Sequence, residues 1–355
     1  MAQLLDLSSL TLNPIQAENS NQAVFERLYT KPELEAAHYL LTGVMANTYI
    51  PIFGQFGLGG RVDPGSCGVN ASADYIAPSQ KQWSPVLISE RLPHCQTDID
   101  QDFRLWKRAA SALKTWEDVD NEQLAFIEDR IVDAMKEWIL RLTSFGDTSA
   151  LNVSGGGYIK NGVSVTYFTP LNGLWQQIYT AVAASTITKI DITENALASY
   201  TAQLALAPDR AISVMRDMYN KADSRIFAAG SQPVFQITKS LANNFEDYLE
   251  DKSLGFSLQV AEDGKQKWAY RGIPIIIRHD WDRNIRAYED NGTTYRLPHR
   301  AILTDIKNIP VATSESGDFT NYDMWYSKEN KKLYTDIAFY LDVKLLQESM
   351  IQVAY

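Results

Sequence analysis

The sequence is poor in cysteine, with only Cys67 and Cys95 in 355 residues. Two thiols in a chain this long make no disulfide framework. That count leaves free thiols of a reducing compartment, or at most one bridge between the two. Histidine is nearly as scarce: His38, His94, His279 and His299. No His-x-x-x-His or Cys-x-x-Cys spacing exists, and the neighbours His94 and Cys95 point to different sides, so no metal site and no cofactor are expected. Glycine (19) and proline (13) are too few for a collagen-like or low-complexity chain. No run approaches the ~18 apolar residues of a membrane span. Residues 1–26 hold no Lys or Arg, and Asp6, Ser8, Ser9 and Asn13 interrupt any apolar stretch there, so no secretory leader is expected. Positive charge is also in deficit, with 33 Lys+Arg against 43 Asp+Glu and a formal net charge of −10. Such a chain lacks the basic stripe that sequence-independent nucleic-acid binding needs.

What is present is a globular composition, 45% hydrophobic and 21% charged. The length allows a sizeable core, in one large domain or two to three intertwined modules. Residues 1–30 are Asn/Gln/Ser-rich and read as an extended arm. Pro32 suits a first helical position, and Leu34, His38, Leu41 and Met45 form a stripe predicting a helix to about Asn47. Residues 50–100 carry glycine, proline and strand signals but no long helix, and read as a protruding loop that finds its partner elsewhere. Leu124, Ile127, Ile131, Met135, Trp138 and Leu142 recur at steps of three and four. They predict a spine helix over about 121–145, ~35 Å long and ended by Gly146. Residues 163–168 read as strand. Thr193 caps a predicted helix over 194–206, Asp209 or Asp217 borders another ending near Lys221, and Thr238 or Ser240 caps a third over 241–249. Strands are predicted at 234–237, 268–277 and 300–304. A long hairpin is predicted from Met324–Tyr326 and Leu333–Val343, with a charged tip at 327–332. The mixture is α+β.

Few motifs suggest chemistry. The glycines at 54–60 and 155–157 lack the strand-before, helix-after setting of a phosphate cradle. His279-Asp280-Trp281-Asp282 is the most enzyme-like cluster. Asp280 and Asp282 could form the acid–base pair of a carbohydrate-active hydrolase, although their spacing alone proves nothing and a polar strand end leading into a loop, with Arg283 and Arg286 as counter-charges, is the favoured explanation. The eight Trp and eighteen Tyr belong either to the core or to an interface, and a β-rich binding module is a further alternative.

The order of parts resembles the tailed-bacteriophage major capsid proteins of the Hong Kong 97-like fold. The local text that carries it is Pro233-Val234-Phe235-Gln236-Ile237-Thr238-Lys239, then Asn244-Phe245-Glu246-Asp247-Tyr248-Leu249-Glu250, Tyr270-Arg271-Gly272-Ile273-Pro274-Ile275, Pro298-His299-Arg300-Ala301-Ile302-Leu303-Thr304 and Asn308-Ile309-Pro310-Val311-Ala312-Thr313. The resemblance implies an N-terminal arm (1–48), an extended loop (49–103), a peripheral domain with the spine helix (104–170 and 266–344) and an axial domain (171–265 and 345–355). It implies a structural protein, not an enzyme. Copies would form hexamers and pentamers of an icosahedral virion capsid around double-stranded DNA, assembled in the cytoplasm of a bacterial host. The DNA would be enclosed without sequence-specific binding, and no membrane is involved. A separate scaffolding protein, a portal and decoration or vertex proteins are the implied partners, since the stretch ahead of the arm is too short for a cleaved scaffold unless Met1 is not the gene start. Candidate inter-subunit contacts are Phe53, Phe56, Trp83, Arg91, Lys328, Asn330, Lys331 and Lys332. Lys81 and Asn330 are the conceivable partners of an inter-subunit isopeptide link, which no local motif supports.

Overall fold

A computed structural model of the chain describes residues 36–44, 47–53, 78–95, 134–228, 230–252, 259–260, 266–313, 323–327, 329 and 332–355. In chain order the strands are β1 (Leu40–Leu41), β2 (Tyr49–Phe53), β3 (Pro78–Gln82), β4 (Val86–Cys95), β5 (Lys189–Ile190), β6 (Pro233–Ile237), β7 (Gln259–Val260), β8 (Gln266–Lys267), β9 (Ala269–Tyr270), β10 (Ile273–Ile277), β11 (Ala301–Asp305), β12 (Val311–Ala312), β13 (Asp323–Ser327), β14 (Lys332–Val343) and β15 (Ile351–Ala354). The helices are α1 (134–145), α2 (Leu174–Ala183), α3 (Tyr200–Leu204), α4 (Arg210–Lys221), α5 (Lys239–Asp251) and α6 (His279–Tyr288).

Two sheets organise the chain. The first runs β1-β12-β14-β13, with β4 paired to β14 along its other side. Strand β14 alternates. Ile337, Phe339, Leu341 and Val343 are buried and meet Met135, Ile139, Leu140 and Leu142 of α1. A period of two on the strand thus packs against a period of 3.6 on the helix. Each such side chain contributes roughly 1.5–3 kcal/mol by leaving water. The part of the expected spine helix that is described, 134–145, is helical; 121–133 lies outside the described residues.

The second sheet has six strands in the order β5-β15-β11-β6-β10-β9. Its central strands are covered on both faces, so they carry apolar residues on both, interrupted by buried polar residues such as Gln236, Thr304 and Gln352. Ala301 and Leu303 join Phe235 and Ile237 under α4 and α5, whose Val214, Met215, Met218, Leu241 and Phe245 complete that side. Ile302 and Val353 face the other way, against Leu174, Trp175 and Ile178 of α2 and Trp281 and Ile285 of α6. The expected division at 265/266 falls between β6 and β10, which pair in parallel with Phe235 opposite Ile275. Between β9 and β10, Arg271 and Gly272 both have positive φ (51° and 81°), the backbone of a two-residue primed turn. The Arg271 guanidinium lies 4.7 Å from the Tyr219 ring centroid. At the end of α1, a side chain on Gly173 would meet Leu142 O at 2.6 Å and Gly146 N at 2.7 Å, so only glycine lets α2 start this close to where α1 stops.

Four local expectations change. Among the described residues of 31–47, only 36–37 are helical, and Leu40–Leu41 form β1 because Val311–Ala312 supply a parallel ladder for them. Residues 163–168 hold a single 3-10 turn, Val165–Tyr167; their β-branched residues suggested a strand, but the chain turns here to bury Phe168, which is 2% exposed. The helix expected over 194–206 is two pieces, Thr193–Ala196 and α3, with Leu197 extended between them. The text after His279 is helical rather than a strand end. The charged-tip hairpin forms from β13 and β14, with Ser327 opposite Lys332.

Candidate functional site

The carboxylate cluster at the start of α6 carries the enzyme-like alternative. Asp280 is held by Arg278 through two bonds, Nε to Oδ1 at 2.8 Å and Nη2 to Oδ2 at 2.7 Å. Burial alone would raise its carboxyl; the Arg278 charge and hydrogen bonds outweigh that and hold it below the usual range. Asp282 accepts the Lys239 N–H at 2.6 Å and so caps α5 from a neighbouring helix. Burial pushes its carboxyl up, only partly opposed by that bond. Thr238, one of the two expected caps with Ser240, stands at the N-cap position but makes no side-chain cap bond. The same device recurs at α4, where Asn244 accepts the Ala211 N–H at 2.8 Å and donates to Ala207 O at 2.8 Å. Both aspartates are thus engaged in holding the fold, and the hydrolase reading draws no support.

Arg278 is the centre of a buried junction. Besides Asp280, Nη1 donates to Gln236 Oε1 (2.6 Å) and reaches His38 Nε2 (3.3 Å), while Nη2 donates to Ser144 Oγ (3.1 Å). These contacts use the five N–H groups of a guanidinium. His38 is buried, and its pKa is lowered to about 3, by desolvation first and the Arg278 charge second. Its ring is therefore neutral. Ile309 O, at 3.2 Å from Nδ1, only accepts, which assigns the proton to Nδ1 and leaves Nε2 to accept from Arg278. Gln236 Nε2 donates to Ala37 O at 2.6 Å, and Trp281 Nε1 to Ser144 Oγ at 3.0 Å. One side chain therefore joins the segment before β1, the end of α1, the centre of β6 and the start of α6.

A second junction lies on α6's far end. Glu289, 3% exposed, accepts from both Arg300 and Arg296. The Arg296 guanidinium sits 3.5 Å over the Tyr158 ring, tying the 147–168 loop to the second sheet. His299 is a satisfied core histidine between Ser240 Oγ and Gln203 O, each at 2.7 Å. Among the described residues no cluster of His, Cys, Asp and Glu is suited to a metal, and no helix is long and apolar enough to cross a membrane.

No family model and no curated protein matches the sequence. Solved structures do match. A chain of the satellite phage P4 procapsid, solved with its size determination (Sid) protein, aligns over 94% of this chain and 98% of its own at TM-score 0.51 and 9% identity. The fold is Hong Kong 97-like. A structure of Gordonia phage Cozz matches at TM-score 0.49 and 11% identity, over 90% of this chain and 84% of that one. A capsid of a native GTA particle matches at 0.46 and 10%, over 91% and 89%.

Within this Hong Kong 97-like fold the contact candidates fare differently. Phe53 pairs with Pro78 in the β2–β3 ladder. Trp83 is 2% exposed and packs with Val44 and Ala312 of its own chain, so it is spent internally and offers no surface to a neighbour. Arg91, on β4, grips Asp336 of β14 through two bonds of 2.6 and 2.7 Å, a cross-strand pair within the chain. The Lys332 backbone pairs with Ser327 and Cys95. Phe56, Lys328, Asn330 and Lys331 lie outside the described residues. Lys81 donates to Leu345 O at 2.5 Å and lies 3.4 Å from Glu348, which pins the β2–β3 ladder to the segment before β15. Sequence reasoning missed Arg278, Gln236 and Glu289. The available signal was a polar or charged residue inside or directly after an apolar strand, as in Ile275-Ile276-Ile277-Arg278.

Proposed function

We propose that the chain is a major capsid protein of a tailed bacteriophage, a structural rather than catalytic role. The observation that carries this reading is the end-to-end match to a procapsid chain, 94% of this chain and 98% of that one at TM-score 0.51. Copies assemble into hexamers and pentamers that tile a closed icosahedral shell around double-stranded DNA. The arm (1–48) and the loop (49–103) spread each copy's contacts over several neighbours, in obligate interfaces that commonly exceed about 2,000 Å². In this reading the axial unit follows the six-stranded sheet and so includes β9 to β11, with α1 and the β14 sheet forming the peripheral unit. Scaffolding, portal and decoration or vertex proteins act as partners, and assembly takes place in the cytoplasm of the host. The acidic chain, at −10, suits a wall that encloses packed DNA without gluing it down.

Electron microscopy of the purified or co-expressed protein tests the reading. Uniform closed particles, tubes or capsomer rings are the expected result. A monodisperse monomer under every assembly condition refutes it.

A further inference from the structure

From Asn195 to Pro208 the chain carries no charged side chain. This stretch is held by its inward groups. The Gln203 amide, 1% exposed, donates to Asn195 O (2.9 Å) and Tyr295 O (3.0 Å) and accepts the Tyr295 N–H (2.9 Å). Tyr200 donates its N–H to Thr293 O at 3.1 Å, packs its ring at a tilt 4.5 Å from the Tyr295 ring and donates its hydroxyl to Asp290. What this stretch itself leaves facing water is neutral, while Lys160, half-exposed and ion-paired with Asp290, borders it at the 290–293 turn. Leu197 and Leu204 are each 42% exposed, beside exposed Ala198 and Thr201 and, from the adjoining turn, Asn291 and Thr293.

We propose that this uncharged rim, residues 196–205 with 291–293, is a contact face between copies of the chain; the proposal rests on the shell-forming reading above. Interface centres are depleted in charge, and a surface fixed before contact loses little freedom on binding. The occupant follows from electrostatics. Each copy carries −10, so two copies approach at least cost where neither brings charge. A basic partner would instead select acidic surface such as Asp247, Glu250 and Asp251 on α5, all exposed. The rim gives such a partner no counter-charge.

The test places like charge on the rim. Thr201→Glu adds a carboxylate at the second position of α3, where it suits the helix dipole, so the fold is retained. Leu197→Asp with Leu204→Asp is the stronger variant, and Asn243→Asp on the exposed face of α5 is the control. Circular dichroism and melting establish folding; sedimentation velocity and electron microscopy read assembly. Thr201→Glu is expected to raise the concentration needed for assembly ~10-fold or more, since like charges facing each other across an interface are costly. Asn243→Asp should leave it unchanged. If Thr201→Glu assembles at the wild-type concentration while the wild type forms particles, the rim proposal is overturned and the shell reading stands. A wild type that never assembles overturns the shell reading and the rim with it.

Discussion

Replacing Arg278 with methionine is the most demanding test of the buried junction. Methionine keeps much of the aliphatic stem and removes the five N–H groups. Asp280 is then left buried without its counter-charge, and Gln236 Oε1 loses the donor 2.6 Å away. Stripping one partner from a buried ion pair costs about 3–5 kcal/mol. Against a total of roughly 5–15 kcal/mol for a folded chain, that is a large fraction. Urea denaturation of the unassembled subunit at pH 7 measures it. Adding Asp280→Asn to Arg278→Met should recover much of the loss, because the second change removes the stranded charge. A coupling of at least ~2 kcal/mol in the double-mutant cycle is expected. The pH dependence gives an independent sign. In the wild type the Asp280 pKa is lowered, so its contribution is present above the unfolded value and is lost on acidification through the folded one. Without Arg278 the raising effect of burial loses its main opponent, with a backbone hydrogen bond and the His38 ring still acting against it. The stranded carboxylate then protonates above its unfolded pKa, and the gap between variant and wild type narrows as pH falls from 7 toward 4. A variant within ~1 kcal/mol of wild type at pH 7, or additive single changes, would show that Arg278 and Asp280 do not act as a coupled buried pair.

Three further outcomes are expected. For His38, whose pKa falls to about 3, the unfolded chain binds the proton first, so wild-type stability is full above about 6.5 and declines as pH drops toward 3. His299, also lowered by burial, adds to the same window. His38→Gln should therefore reduce the slope of stability between pH 6.5 and 4.5 by up to ~1.4 kcal/mol per pH unit without abolishing it, and an unchanged slope counts against the junction as described. Gly173→Ala forces a methyl to within 2.6 Å of Leu142 O and should cost roughly 1–3 kcal/mol or more by thermal melting; a neutral effect would mean that α1 and α2 can separate at this point without loss. Asp282→Ala removes the cap on α5 and should cost ~0.5–2 kcal/mol in the same assay.

Legibility in the sequence followed the range of the interactions. The β13–β14 hairpin, the 234–237 strand and the α4 segment were readable because their signals are local: turn residues, alternation, and a 3.6 period ending at Lys221. The 163–168 stretch misled because its alternation of β-branched residues has the same form whether or not a partner strand exists to accept the ladder. Leu40–Leu41 misled in the opposite sense, since a helical stripe gave way to a partner strand 271 positions away. The caps were invisible for the same reason. A search three residues either side of α5 finds Thr238, whereas the working cap is Asp282, 43 positions on. Trp83 shows the limit for the site. An aromatic residue in a loop reads equally as an interface anchor or a core residue, and only the packing of Val44 and Ala312 around it decides for the core.

Two of the buried arginines, Arg278 and Arg300, bear on what the fold is built to do. They are 3% and 0% exposed; Arg278 draws Ser144, Gln236 and His38 from segments far away in sequence, whereas Arg300 holds the nearby Glu289 and the Arg296 and Leu297 carbonyls. Such pairs are weak sources of net stability, because desolvation consumes most of the attraction; well-packed apolar residues often do as well. Their effect is directional. An apolar contact tolerates sliding of a helix over a sheet. A guanidinium bonded to Ser144, Gln236, His38 and Asp280 is satisfied in one arrangement only. In the shell-forming reading proposed above, a subunit repeated around a closed shell needs a fixed angle between α1 and the six-stranded sheet more than it needs extra stability. On that argument Arg278→Met combined with Asp280→Leu should recover stability yet broaden particle size, which electron microscopy of the assembled products measures. Particles as uniform as wild type would remove the directional role and leave the junction as stability alone.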